Sequence, residues 1–208
     1  MNKKILLSLL LPLSLLLTSC SNNNEVTTKE TVNTSIKNEK IPTKTNFDGY
    51  AFKDSLLETP DFDLKIDKTQ TGEAYNSEGI IVWFTLTNKS DRNIVPKEAF
   101  SNMLEITQQD DTSVYNIPTD YNYLNAAEML YPTNDKSIED PEYVTNNELQ
   151  EKYNNEYDKK FFAELLPGKE IKTAVALTLE TPGYPIFINI AEPYATLLNT
   201  SPLKIETT

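Results

Sequence analysis

Few side chains in this sequence could act as a nucleophile, a general base or a metal ligand. The chain of 208 residues contains no histidine, and Cys20 is its single cysteine. Because histidine is the commonest general base and metal ligand, serine–histidine, cysteine–histidine and ordinary zinc chemistry are not expected. We therefore predict a protein that is not an enzyme and that has no catalytic residue, cofactor or metal.

Short patterns that suggest other chemistry are better explained without it. Ser201-Pro202-Leu203-Lys204 has Ser-x-x-Lys spacing, but the companion Ser-Asp-Asn and Lys-Thr-Gly motifs of such enzymes do not occur in the sequence. The acidic residues near positions 110 and 135–142 lack the alternating oxygen ligands and the glycine of a calcium loop, so a solvated acidic loop is favoured. Paired carboxylates doing acid–base work, as in an envelope hydrolase, stay open as an alternative.

Tyrosine is the residue type that points to recognition. Residues 110–160 contain seven of the 11 tyrosines, together with 12 acidic and 4 basic residues. Tyrosine is favoured at recognition surfaces because it adds contact area at a low entropy cost and keeps a polar end. We predict binding roles for four of them: Tyr121, Tyr123, Tyr131 and Tyr143. Tyr153 and Tyr157 recur at helical spacing, so covering the protein core is the favoured role for these two.

The N-terminus has the pattern of an export signal. Lys3 and Lys4 precede about a dozen apolar residues, and this run is too short for a membrane-spanning helix and contains Pro12. Leu17-Thr18-Ser19-Cys20 resembles the lipobox of bacterial lipoproteins. The resemblance implies cleavage after residue 19 and diacylglycerol on the Cys20 sulfur. It places the protein on the extracytoplasmic face of the cell membrane.

Composition favours a flexible tether after Cys20 and excludes one class of partner. Residues 20–58 are rich in Asn, Thr, Lys, Glu and Ser, which cannot bury enough apolar surface to offset the entropy of ordering. The formal net charge of −12 becomes −14 once Lys3 and Lys4 are removed with the signal, leaving 17 basic and 31 acidic groups. Such a surface repels the phosphates of nucleic acids, so no nucleic-acid partner is expected.

From residue 59 onward the sequence predicts a domain of short strands. Apolar residues alternate with polar ones over 62–67 and 172–180, and a β-branched, aromatic run covers 80–87. Weaker patterns predict strands near 103–106, 184–190 and 203–206, with a hairpin turn at Pro182-Gly183. Several short strands separated by turns are typical of a β-sandwich.

The predicted sandwich carries an acidic, tyrosine-rich insert over about 110–160. Three prolines interrupt it, and Thr145-Asn146-Asn147-Glu148 has the form of a capping box. Leu149, Tyr153 and Tyr157 then follow at helical spacing, which predicts a helix over about 146–159. Trp83 is expected in the core.

Two strand-and-turn segments carry a family resemblance. The strand Val82–Thr87 runs into Asn88-Lys89-Ser90, and Leu166-Pro167-Gly168-Lys169-Glu170 precedes a later strand. With the lipobox and tether, this pattern is similar to the Ig-like domains of unknown function on small lipoproteins of low-GC Gram-positive bacteria. The resemblance covers about residues 60–190 and implies an immunoglobulin-like β-sandwich with structural turns at Asn88 and Gly168. It implies no catalytic residue, and the long insert departs from the compact form.

These observations lead to a surface-tethered binding module, whose partner is a protein, a peptide or a wall component. The membrane is a second partner, through the lipid on Cys20. The alternative is a structural or assembly accessory of a membrane or envelope complex. Stable co-purification with one such complex would favour the alternative.

Overall fold

The computed structural model describes residues 47–121 and 123–207, and these ranges contain nine strands. The strands are β1 Ala51–Lys53, β2 Leu56–Glu58, β3 Phe62–Ala74, β4 Ser77–Asn88, β5 Leu104–Gln109, β6 Val114–Ile117, β7 Glu170–Thr178, β8 Ile186–Ile190 and β9 Leu203–Ile205. They form two antiparallel sheets, one in the order β1-β2-β3-β4-β7 and the other in the order β6-β5-β8-β9. The fold is thus mostly β and consistent with a β-sandwich.

Short helices connect and cover the sheets. They are α1 Pro96–Met103, α2 Ala126–Leu130, α3 Pro141–Tyr153, α4 Lys159–Phe161 and α5 Tyr194–Leu198, with a π-helical turn at Asn154–Asp158 between α3 and α4. Across the described ranges, no helix combines the length and the apolar character needed to cross a membrane.

Alternation along the strands builds the main core between the two sheets. Leu64, Val82 and Phe84 of the first sheet and Ile106 and Ile188 of the second belong to one buried cluster. The Phe84, Phe100 and Phe161 rings pack together there, with centroids 5.2–6.2 Å apart. Each fully buried side chain of this size contributes roughly 1.5–3 kcal/mol relative to an exposed one. The predicted strands over 62–67, 80–87, 103–106, 172–180, 184–190 and 203–206 are confirmed, with small shifts at their ends.

The two segments that carry the family resemblance meet where β4 ends and β7 begins. The Asn88 amide N–H donates to the Lys169 carbonyl at 2.9 Å, and the Gly168 N–H donates to the Asn88 carbonyl at 3.0 Å. The buried Asn88 side chain donates to the carbonyls of Arg92 and Leu165, at 2.7 and 2.9 Å. Gly168 adopts a φ of +67°, which glycine allows without strain. The structural roles expected for Asn88 and Gly168 are confirmed.

The domain begins earlier than the predicted boundary at residue 59. Strands β1 and β2 lie within the predicted tether, and β2 pairs with β3. Asp54 and Ser55 connect them with φ of 49° and 69°, as in a two-residue hairpin turn. Phe52 and Leu57 are buried in the main core, and these two residues supply apolar surface that the polar composition of the segment as a whole does not indicate. The rest of the predicted tether, Cys20 and the export signal lie outside the described residues.

Pro182-Gly183 does not form the predicted hairpin, because β7 and β8 belong to different sheets. The connection between them is held by Gln108, whose side chain is fully buried. Its oxygen accepts from the N–H groups of Glu180 and Thr181, at 3.1 and 2.9 Å, and its amide nitrogen donates to the carbonyls of Thr181 and Tyr184. The Gln108 side chain thus provides the backbone of this connection with the hydrogen bonds that a neighbouring strand would otherwise supply.

The insert is shorter than predicted and its main helix starts earlier. Strand β6 lies inside the predicted range, so the insert in the structure covers residues 118–161. Helix α3 begins at Pro141, and the Asp140 carboxylate accepts from the Glu142 N–H at 2.8 Å as its N-cap. The predicted capping residue Thr145 lies within the helix and donates to the Pro141 carbonyl at 3.0 Å. Proline at the first helical position after an aspartate is the stronger start signal.

Candidate binding groove

The insert covers the outer face of the first sheet, where a second apolar cluster lies. Ile81 and Trp83 of β4 point to this face, beside Ala174 and Ala176 of β7. Ala127 of α2 and Tyr153 of α3 complete the cluster. The two small alanines leave room for helices to approach the sheet, so both faces of β4 are covered. Trp83 is buried as expected, but in this second cluster rather than between the sheets.

A buried carboxylate holds the insert together. Glu128 in α2 is 2% exposed, and it accepts from the N–H groups of Thr133 and Asn134, the Thr133 hydroxyl and the Gln150 amide at 2.7–2.9 Å. Burial by itself raises the pKa of Glu128, but these four hydrogen bonds outweigh it and leave the pKa below its usual value. The ionised carboxylate thus ties α2, the loop after it and α3 into one unit.

A β-bulge on the sheet side positions a lysine over the tryptophan. The pairing of β3 with β4 shifts between Ile66 and Lys68, so Asp67 is the extra residue. Without the shift, Lys68 would follow Ile66 onto the inner face of the sheet. With it, Lys68 pairs with Trp83 on the outer face, and its ammonium nitrogen lies 4.1 Å from the indole centroid. Bulges are over-represented where a side chain is re-aimed beside a functional site.

A π-helical turn on the insert side positions a tyrosine. Tyr157 lies in this turn, and its carbonyl accepts from the Thr173 hydroxyl of β7 at 2.8 Å. The Tyr153 and Tyr157 rings pack with centroids 5.2 Å apart. Turns of this kind are rare and frequently lie at functional sites. A strand irregularity and a helix irregularity therefore face each other across the same surface.

Between these two irregularities runs a depression of about 320 Å³, which we call the aromatic groove. We define it by Trp83 and the three tyrosines Tyr131, Tyr153 and Tyr157, with Lys68 and Glu156 at its sides. Its volume is at the lower end of the range for small-ligand sites, about 300–1,000 Å³. The groove joins flat aromatic faces to charged groups of both signs, which suits the binding of an extended polar chain.

The tyrosine hydroxyls of the groove lie close enough to influence one another. Burial raises the pKa of Tyr153, and the nearby Asp158, Tyr157 and Tyr131 raise it further. Burial also raises the pKa of Tyr157, with Glu156 and Tyr131 adding to the effect. Among the described residues, no group forms a hydrogen bond with the buried Tyr153 hydroxyl. The phenols of Tyr153 and Tyr157 therefore stay protonated at neutral pH and can donate hydrogen bonds.

The structure does not bring the four predicted tyrosines together. Tyr131 lines the aromatic groove, whereas Tyr121 is 74% exposed and borders a separate acidic depression beside Glu105 and Glu192. Tyr123 forms an isolated bridge with Leu177 at the edge of β7, and its hydroxyl donates to the Thr119 carbonyl at 3.0 Å. Tyr143 is half-buried on α3.

Two groove tyrosines and Lys68 were not predicted as site residues. Helical spacing suggested a covering role for Tyr153 and Tyr157, and the structure gives Tyr153 that role while Tyr157 stays half-buried in the groove wall. The sequence signal that could have identified the groove is the pair Ile81 and Trp83. Both are apolar and lie on the face of β4 opposite the main core, which indicates that the insert packs over this face. Within the described ranges, no group of three or more acidic, cysteine or histidine residues is arranged to hold a metal ion.

Two solved structures are similar to this chain. One is the "NMR structure of the protein from Enterococcus faecalis", with a TM-score of 0.50 and 15% identity, covering 76% of this chain and 94% of that one. The other is the "Structure of a putative lipoprotein from Staphylococcus aureus subsp. aureus NCTC 8325", with a TM-score of 0.48 and 15% identity, covering 68% of this chain and 81% of that one. At this identity the first likeness extends to the fold alone.

Sequence comparison identifies the family. A search of the curated proteins finds no match. Residues 37–192 match the family described as "Domain of unknown function (DUF5067)", and this range includes both sheets up to the end of β8, together with the insert and the aromatic groove. The chain therefore belongs to the DUF5067 family.

Proposed function

We propose that this protein is a lipid-anchored, non-enzymatic binding module on the outer face of the cell membrane, with the aromatic groove as its recognition site. The observation that carries the proposal is the β-bulge at Asp67 opposite the π-helical turn at Asn154–Asp158. Both irregularities disturb regular hydrogen bonding, and both aim a side chain at the same groove. The partner is a protein, a peptide or a wall component.

The anchor follows from the N-terminal sequence. Cleavage before Cys20 and acylation of its sulfur would leave residues 20–46 as the polar connection to the domain. A single acyl chain binds membranes only marginally, at about 0.8 kcal/mol per buried methylene, so the two chains of a diacylglycerol give durable attachment. The facing antiparallel sheets and the family resemblance support an immunoglobulin-like sandwich as the fold that presents the groove.

The anchor is tested by replacing its attachment point. In a bacterial host fed a palmitate analogue, the wild-type protein is expected to carry the label and to sediment with the membranes. Cys20→Ala should carry no label and should leave the membrane fraction. Equal labelling and sedimentation of both proteins would refute lipidation at Cys20.

The recognition site is tested with point variants, because deletion of the insert would expose Ile81 and Trp83. Full-length protein is used as bait for a detergent-solubilised envelope, beside Tyr131→Ala, Tyr157→Ala and the control Tyr121→Ala. Tyr121 is an exposed tyrosine outside the groove. We expect a specific ligand to be retained by the wild type and the control and lost by both groove variants. Loss only in Tyr121→Ala would place the recognition site elsewhere.

A further inference from the structure

We infer that the aromatic groove binds the cationic side chain of a lysine- or arginine-containing peptide segment of a partner protein, over the face of the Trp83 ring. In the free protein, the Lys68 ammonium occupies this position. The inference rests on the proposed role of the groove as the recognition site. It adds the chemical class of the ligand and a displacement step.

In the free protein, Lys68 lies against the face of the Trp83 ring. The ammonium nitrogen lies 4.1 Å from the indole centroid, within the distance at which the ring face attracts a cation. Among the described residues, no carboxylate forms an ion pair with Lys68. The ring face is therefore the main attractive partner of this ammonium, and the β-bulge is the device that brings the two together. The free protein thus already holds one cation in the groove.

Other aromatic rings line the groove beside Trp83. Tyr131 and Tyr157 are half-buried in the wall of the groove, so part of each ring remains accessible. A cation that enters the groove meets these rings as well as the indole. Lys68 is itself an exposed side chain, so it can turn into solvent when a ligand takes its position.

The charge of the protein favours a cationic ligand. The protein carries a formal net charge of −12, and residues 110–160 contain 12 acidic and 4 basic residues. A field of this sign raises the local concentration of cationic ligands and speeds their approach. Within the groove, Glu156 offers a carboxylate, and Lys152 on α3 is the opposing charge that remains once Lys68 has turned out. The long-range field therefore selects a cationic partner, and the aromatic rings supply the local contact.

Trp83 is the single tryptophan of the chain, so its fluorescence reports directly on this groove. Full-length protein in detergent is titrated with hexalysine and, separately, with hexaglutamate. We expect hexalysine to change the Trp83 emission saturably, with weaker binding as salt is added. Hexaglutamate should give no saturable change.

The decisive variant is Lys68→Ala, which empties the position over the indole. Because the ligand no longer competes with an internal cation, hexalysine should bind about two- to fivefold more tightly, the equivalent of one exposed cation–π contact. Lys65→Ala is the matched control, since Lys65 is exposed on the same strand and pairs with Thr85 rather than Trp83. The control should change the affinity less than twofold.

Three results would overturn the inference: saturable binding of hexaglutamate that Lys68→Ala abolishes, an equal gain in Lys68→Ala and Lys65→Ala, or no response of Trp83 to hexalysine. If envelope capture still depends on Tyr131 and Tyr157 in these cases, the groove remains the recognition site for a ligand of another class. If capture also fails, the proposed function falls with the inference.

Discussion

Replacing Glu128 with glutamine tests whether one buried carboxylate holds the insert in place. All four groups that contact this carboxylate donate a hydrogen bond to it. Glutamine preserves the shape and keeps one accepting oxygen, which can still serve the N–H groups of Thr133 and Asn134. Its amide nitrogen replaces the other oxygen and then faces the Thr133 hydroxyl and the Gln150 amide.

The loss of stability expected for Glu128→Gln comes from the contacts with the Thr133 hydroxyl and the Gln150 amide. The Thr133 hydroxyl can rotate and accept from the new amide, whereas the Gln150 amide nitrogen, 2.7 Å from the present carboxylate oxygen, becomes a donor facing a donor. A hydrogen bond to a charged group contributes about 1.5–3 kcal/mol, and we expect Glu128→Gln to lower the free energy of unfolding by about 2–3 kcal/mol. At a typical urea slope of about 1–3 kcal/mol per molar, the midpoint falls by roughly 0.7–3 M.

Two probes separate release of the insert from unfolding of the sheets. Trp83 emission reports on the cover over the first sheet, and far-ultraviolet circular dichroism reports on the strands. We expect the Trp83 transition to move to lower urea by at least as much as the dichroism transition. Glu148→Gln removes the same charge from an exposed position on α3 and should leave the free energy of unfolding, from either probe, within about 0.5 kcal/mol of the wild type. Equal midpoints for the two variants would refute the role of Glu128.

Three further predictions concern other contacts of the same framework. The pKa of Glu128 is lowered, so its contribution to stability is complete above about pH 4.3, the value of a free glutamate, and an acid titration of Trp83 emission should show the insert loosening only as the pH falls below this value. Asn88→Ala leaves two carbonyls without their donor and should cost about 2–4 kcal/mol in urea unfolding, against about 0.5 kcal/mol or less for the exposed Asn93→Ala. Gly79→Ala places a Cβ 2.5 Å from Leu124 Cδ2, and a loss of about 1–3 kcal/mol with a shifted Trp83 emission is expected.

An insert that loosens near neutral pH would mean that the Glu128 pKa is not lowered. Equal stability of Asn88→Ala and Asn93→Ala would remove the structural role of the turn after β4. Unchanged stability of Gly79→Ala would show that Leu124 can move without cost.

The strands of the sandwich were predictable because their pattern is local. Phe62, Leu64 and Ile66 alternate with polar residues, and the same period repeats in the later strands. Pairing was not predictable, because it depends on contacts distant in sequence. Pro182-Gly183 has the chemistry of a turn, but the buried Gln108 supplies hydrogen bonds that let the chain pass from one sheet to the other.

The candidate groove was only partly predictable for a similar reason. Its composition was visible, since the tyrosine-rich segment contains Tyr131, Tyr153 and Tyr157. Its geometry depends on a one-residue bulge and a one-turn change of helix type, which leave no clear periodic signal in the sequence. Lys68 would follow the inward pattern of Ile66 in a regular strand, and only the bulge turns it toward Trp83.

Site-specific photo-crosslinking in living cells tests whether the aromatic groove contacts a partner. A photoreactive phenylalanine analogue is placed at Tyr131 in the aromatic groove or at the exposed Tyr121, in the full-length protein. We expect a discrete, light-dependent adduct from position 131 that is absent from position 121. An adduct from position 121 with none from position 131 would contradict the assignment of the groove as the recognition site.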